Sequence, residues 1–144
     1  MKKKIITIGI IAVSLFVLIN LVWFIVVTIR YNKFIEAVPK NEWGRYFIRK
    51  DDGYMYSVKK PSYLSFTGNL GVVSKESDEA LIIWPSIFDG YEYGFRLQKE
   101  EKAYEIYVDE NMNPIYEKDA HIVNKFKTEL EELFSKANET WNLK

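Results

Sequence analysis

"ALIIWPSIFDGYEYGFRL", residues 80–97, contains the pattern on which the fold turns. Tyr91, Tyr93, Phe95 and Leu97 alternate with Glu92, Gly94, Arg96 and Gln98, the period of two expected of a strand with one buried and one wet face. The Asp89-Gly90 pair ahead of it marks a turn, because Asp-Gly readily takes the positive-φ geometry that joins twisted strands. "ALIIW" then reads as the strand before that turn. Just beyond, Tyr104, Ile106 and Val108 alternate with Glu105, Tyr107 and Asp109.

The same punctuation recurs upstream. "WGRYFIRK" and "YMYSVKK" flank Asp51-Asp52-Gly53, and "SYLSFT" and "VVSK" flank "GNLG" at 68–71. About seven short strands joined by tight turns leave no room for crossover helices, which predicts an antiparallel meander. After Asp119 the period changes: Val123, Phe126, Leu130, Leu133, Phe134, Ala137 and Trp141 fall three and four apart, one stripe of a helix. Asp119 is the expected N-cap, and Glu132 with Lys136 the expected i,i+4 pair. A sheet of this size needs a cover to build a core. The class is therefore α+β, with the C-terminal amphipathic helix packed on the apolar face of the meander.

Ahead of the meander, residues 5–29 carry no charge and as a helix would reach about 37 Å, against a hydrocarbon core of about 30 Å. A cleaved signal peptide would have a shorter apolar run ending in small residues, whereas this one ends "FIVVTIRYNKF". The expected organisation is a basic start and transmembrane signal anchor over 1–30, a juxtamembrane stalk over 31–42 and an extracytoplasmic α+β domain over 43–144. Lys2, Lys3 and Lys4 outweigh Arg30 and Lys33, with Glu36 close by, so the amino terminus is expected in the cytoplasm of a single-pass membrane protein. Lipid is then one partner, through residues 5–29. Trp23 reads as an interfacial anchor. Asn20 is either a helix-to-helix contact or a tolerated polar residue.

A formal net charge of zero conceals an asymmetry, since all 20 acidic residues follow Arg30 while Lys2, Lys3, Lys4 and Arg30 belong to the anchor. The outer part is mildly acidic and shows no basic stripe, so nucleic acid is not an expected partner. Lys far outnumbers Arg, which suggests an AT-rich, low-GC Gram-positive bacterial source.

Chemistry is sparse. The chain has no Cys, which excludes a thiol nucleophile, Cys-ligated metal and lipidation. Its one His, His121, sits in the first turn of the predicted helix, and a lone His makes no His-based metal site. "DENMNPIYEKDA" from Asp109 imitates the start of a calcium loop, but Pro114 stands where Gly is needed and Ala120 where a bidentate Glu should close the site. Phosphate-cradling Gly motifs are absent. No nucleophile, base and orienter can be assembled, so neither enzymatic activity nor a cofactor or metal is expected.

What remains is a binding surface. Glu92, Arg96, Gln98, Glu105, Tyr107 and Asp109 should share the sheet face opposite the helix, with Ile87 and Phe88 at the neighbouring turn. Tyr and Arg in a mixed polar patch are residue types that hot spots favour. The same pattern is also met by a merely wet face with Ile87 and Phe88 folded onto the core.

"FTGNLGV" (66–72), "LIIWP" (81–85), "YEYGFRL" (91–97), "YEIYVDENMN" (104–113) and a helix ending "LFSKANETWNL" (133–143) together resemble the small membrane-anchored TipC-like immunity proteins of Gram-positive bacteria. The resemblance implies a role in which the outer domain binds and neutralises a type VII-secreted LXG toxin that attacks cell-wall lipid precursors. It carries no site residues onto particular positions. A different class also fits the residues: an accessory or regulatory single-pass subunit of a membrane complex, with the apolar helix as its binding element.

Overall fold

A computed structural model of the chain describes residues 2–99 and 101–143. Helix α1 (Lys2–Ala37) leads into an antiparallel meander of β1 (Tyr46–Arg49), β2 (Tyr54–Lys59), β3 (Asn69–Ser74), β4 (Glu79–Pro85), β5 (Tyr91–Lys99) and β6 (Lys102–Val108). Each strand pairs with the next in sequence order, which is what short turns permit. A 3-10 turn at Glu117–Asp119, a short helix α2 (Ala120–Lys125) and helix α3 (Lys127–Trp141) close the chain.

The strands number six among the described residues, not seven, because "SYLSFT" is a loop. Its backbone groups find partners outside the sheet: the Ser65 N–H donates to the Ser62 carbonyl, and the Trp23 indole of α1 donates to the Ser65 carbonyl at 2.6 Å. "GNLG" is correspondingly no turn, since Asn69, Leu70 and Gly71 belong to β3. Gly68, where the chain re-enters the sheet, accepts no side chain: a Cβ there would lie 2.2 Å from the Lys59 carbonyl oxygen and 2.8 Å from the Tyr31 hydroxyl.

One face of the sheet carries the core. Tyr56 and Val58 of β2, Leu70 and Val72 of β3, Leu81 and Ile83 of β4, Tyr93, Phe95 and Leu97 of β5, and Ile106 and Val108 of β6 are all buried, and alternation aims them to one side. From α2 and α3 come Ile122, Val123, Phe126, Leu130, Leu133, Ala137 and Trp141, with Phe134 half-buried against Tyr93 at 5.1 Å between ring centroids. The helical stripe thus covers the sheet as its period requires. Two local expectations fail. Asp119 makes no side-chain cap, and Phe126 breaks the helix in two at φ −110°, ψ 26° while its ring stays buried. Lys136 bonds to Asp52 at 3.3 Å rather than to Glu132, which instead accepts from the Tyr54 hydroxyl at 2.7 Å. Long-range partners on the β1–β2 turn displace the i,i+4 pair, which is worth only about 0.2–0.5 kcal/mol.

The larger departure concerns residues 31–42. Helix α1 does not end at the apolar run but continues to Ala37, and Val27, Tyr31, Phe34 and Val38 are buried in the same core as the sheet. The Tyr31 hydroxyl accepts from the Gly68 N–H at 2.9 Å, Phe34 meets Tyr91 edge-on, and α1 touches α3. Most of the presumed stalk is a structural element of the domain. Its spacing of three and four from Val27 to Val38 is the helical stripe again, concealed by the uniformly apolar stretch before it.

Upstream, α1 is long and apolar enough to cross a membrane, and only 6% of its most apolar window is buried by the domain.

Candidate functional site

Alternation that sends Leu81, Ile83, Tyr93 and Phe95 inward sends Ala80, Ile82, Trp84, Glu92, Gly94, Arg96, Gln98, Glu105 and Tyr107 to the opposite face, which no helix covers. The register of β5 with β6 sets Arg96 opposite Glu105 and Gly94 opposite Tyr107, and that of β4 with β5 sets Trp84 opposite Glu92. Gly94 has no side chain to fill its place, so Trp84 lies over it: a Cβ there would sit 2.8 Å from the indole. Tyr107 stacks beside Trp84 across the same glycine, 6.1 Å between ring centroids and 25° between planes, and Tyr116 meets Tyr107 edge-on at 6.4 Å.

Around this aromatic centre the polar residues pair locally. The Tyr107 hydroxyl donates to Glu105 at 2.7 Å, and Arg96 lies 3.9 Å from the same carboxylate. Acceptance by the Glu105 carboxylate, with a smaller desolvation effect, pushes the Tyr107 phenol above its usual range, so the hydroxyl remains a donor at neutral pH. Arg96 and Glu105 are both more than half exposed, and an exposed pair adds little stability. Their charges are available to a partner.

Asp109 has a different task. Its carboxylate accepts from the backbone N–H groups of Asn111 and Asn113 and from the Asn113 amide, closing the turn after β6. The Asn113 side chain first, and then the backbone donors, hold its carboxyl below the usual carboxylate range. The imitation of a calcium loop is thus a turn locked by its own side chain, and among the described residues no group of three or more His, Cys, Asp or Glu could hold a metal ion. Beside this turn lies an open depression of about 600 Å³ whose walls include Glu92, Tyr107, Asp109, Ile115 and Tyr116.

The structure therefore brings Glu92, Arg96, Glu105 and Tyr107 onto one surface, with Gln98 exposed at the far end of β5. Asp109 borders it. Ile87 and Phe88 stand at the corner where the β4–β5 turn meets the end of the sheet; they do not fold onto the core, and Phe88 is 94% exposed. A shallow hollow joins them to Phe66, Trp84 and Glu92. Trp84 and Tyr116 are the members that sequence reading missed. Nothing local signalled Trp84, since "ALIIW" is apolar at every position and alternation alone does not say which of its residues turn outward.

Asn20 also finds its partner within the chain. Its side-chain oxygen accepts from the Tyr63 hydroxyl and its amide donates to the Phe16 carbonyl.

Compared with known proteins, the chain matches no family model, no curated protein and no solved structure.

Proposed function

We propose that this chain is a single-pass membrane protein whose domain, held outside the cytoplasm, binds a protein through the open face of its sheet, and that the partner is a secreted antibacterial toxin domain that it neutralises. The observation that carries the binding reading is the uncovered aromatic centre, Trp84 stacked on Tyr107 over Gly94 and ringed by Glu92, Arg96 and Glu105. Large rigid aromatics beside an Arg are the composition of binding hot spots, and a polar rim is how such centres are bordered. The resemblance to TipC-like immunity proteins supplies the toxin. Asn20, the one Asn in the apolar run, is hydrogen-bonded to Tyr63 within the chain and so lends no support to the accessory-subunit alternative, in which the apolar helix is the binding element.

Two experiments test the reading. Arg96→Glu with Glu92→Lys in the full chain should leave stability within about 0.5 kcal/mol, as exposed substitutions do, while protection against a co-encoded toxin is lost. Protection equal to that of the parent would place the binding surface elsewhere. Orientation is checked separately in this Cys-free chain. An impermeant thiol reagent applied to whole cells should label an Asp52→Cys variant and leave Lys3→Cys unlabelled, on the argument that the basic end stays in the cytoplasm. Outside labelling of the Lys3→Cys variant would overturn the topology.

A further inference from the structure

Apart from the apolar run itself, from Trp43 and Phe47 beside β1 and from Ile115 and Tyr116 after β6, the exposed large apolar side chains lie on two connections at one end of the sheet. The meander places the 60–68 loop and the 86–90 turn at the same end of the sheet, and these carry Tyr63, Leu64, Ile87 and Phe88, all exposed. The opposite end, with the turns at 50–53 and 75–78, presents Lys50, Asp51, Asp52, Lys75, Glu76 and Asp78 instead.

The apolar end is also the end tied to α1. Trp23 donates to the Ser65 carbonyl, Tyr63 donates to Asn20 and packs edge-on against Trp23, and Arg30 donates to the Gly90 carbonyl at 2.8 Å. These bonds give the loops a level along the helix. If the hydrocarbon core takes about 20 residues from Ile5, its outer boundary falls near Phe24. Asn20 then lies about 6 Å inside that boundary at 1.5 Å per residue, and Arg30 about 9 Å outside it. Tyr63 is bonded to Asn20 and so reaches the acyl side of the boundary. The 86–90 turn is bonded to Arg30 and borders Phe66 and Thr67, which places Phe88 at the headgroup level.

We infer that the 61–67 loop and the 86–90 turn form a second membrane contact, in which Tyr63, Leu64, Ile87 and Phe88 enter the outer interface beside α1. The occupant of this surface is the lipid bilayer. Continuity with the apolar helix argues for it, as does the chemistry at the base of the loop: Lys59 and Lys60 lie directly before Pro61, where anionic headgroups would meet them. Trp23 is half-buried between the two, the position in which an amphipathic ring is at home. Asp89 limits the depth. Its carboxylate accepts from the Gly90 N–H at the tip of the turn, which keeps the turn at the headgroup level. The inference stands apart from the toxin reading, since it concerns one end of the sheet and not its open face, and it moves Ile87 and Phe88 from the protein-binding set to the lipid contact.

The test uses the full chain reconstituted into vesicles of phosphatidylcholine and phosphatidylglycerol, some of them brominated in the acyl chains. A polarity-sensitive fluorophore is attached to single Leu64→Cys, Phe88→Cys, Ser77→Cys and Phe16→Cys variants. Brominated lipid should quench the probes at 64 and 88 several-fold more than the probe at 77, with 16 quenched most. Quenching at 64 and 88 no greater than at 77 overturns the second contact while leaving the span intact, and quenching at 64 alone overturns the part assigned to the 86–90 turn. No quenching at 16 overturns the span and the contact together. Loss of partner binding by Arg96→Glu is read independently, so failure of either idea is distinguishable from failure of the other.

Discussion

A chain that begins at Lys40 should fail to fold. Such a truncation looks like the natural soluble form of the domain, because the apolar run ends near Arg30 and polar residues follow. It would remove Val27, Tyr31, Phe34 and Val38, four buried members of the core, and leave the apolar face of the sheet uncovered beside α3. The expected result is an aggregating or molten product without a cooperative unfolding transition. The graded version is Phe34→Ala in the full chain, where a completely buried aromatic is removed and about 3–5 kcal/mol should be lost by denaturant unfolding in detergent micelles. Ile29→Ala, at an exposed position five residues earlier on the other side of the helix, serves as the control and should change little. A well-folded chain from Lys40 with native spectra would show that α1 merely lies against the domain. The practical consequence is that partner binding has to be assayed with the last three turns of α1 in place.

The second large effect belongs to α3. Leu130→Ala removes a side chain with no exposed surface between α3 and the sheet and should cost about 2–5 kcal/mol. Lys127→Ala, one turn before it, gives up an exposed pair with Glu131 at 3.6 Å and should cost under about 0.5 kcal/mol. Both are read as shifts in the denaturant midpoint at constant slope. Equal losses at the two positions would mean that the helix presents a different face to the sheet.

The site divides along the same line as the fold. Glu92, Arg96, Glu105 and Tyr107 could be placed on one face from alternation alone, because β5 and β6 keep strict period and their turn is short. Trp84 was hidden by composition: "ALIIW" is apolar on both faces, and periodicity cannot say which residues of such a run point outward. Pairing with β5 decides it, since Leu81 opposite Phe95 and Ile83 opposite Tyr93 take the core side and leave Trp84 opposite Glu92 on the other.

What this sequence determined by itself is whatever depends on near neighbours: an antiparallel meander, one apolar face, a helical stripe after Asp119 and an apolar helix long enough for a membrane. Period and turn chemistry act over a few residues, and they suffice for those features. Only the tertiary structure decided that α1 runs on into the core, that 62–67 is a loop and that Asn20 has an internal partner. Those outcomes rest on contacts between Trp23 and Ser65, Asn20 and Tyr63, and Arg30 and Gly90, which lie 42, 43 and 60 residues apart. A Pro, two Ser, a Leu and two aromatics at 61–66 are compatible with a strand or with a loop, and the choice fell to the loop, where α1 and the loop itself supply hydrogen-bond partners that a neighbouring strand would otherwise have given.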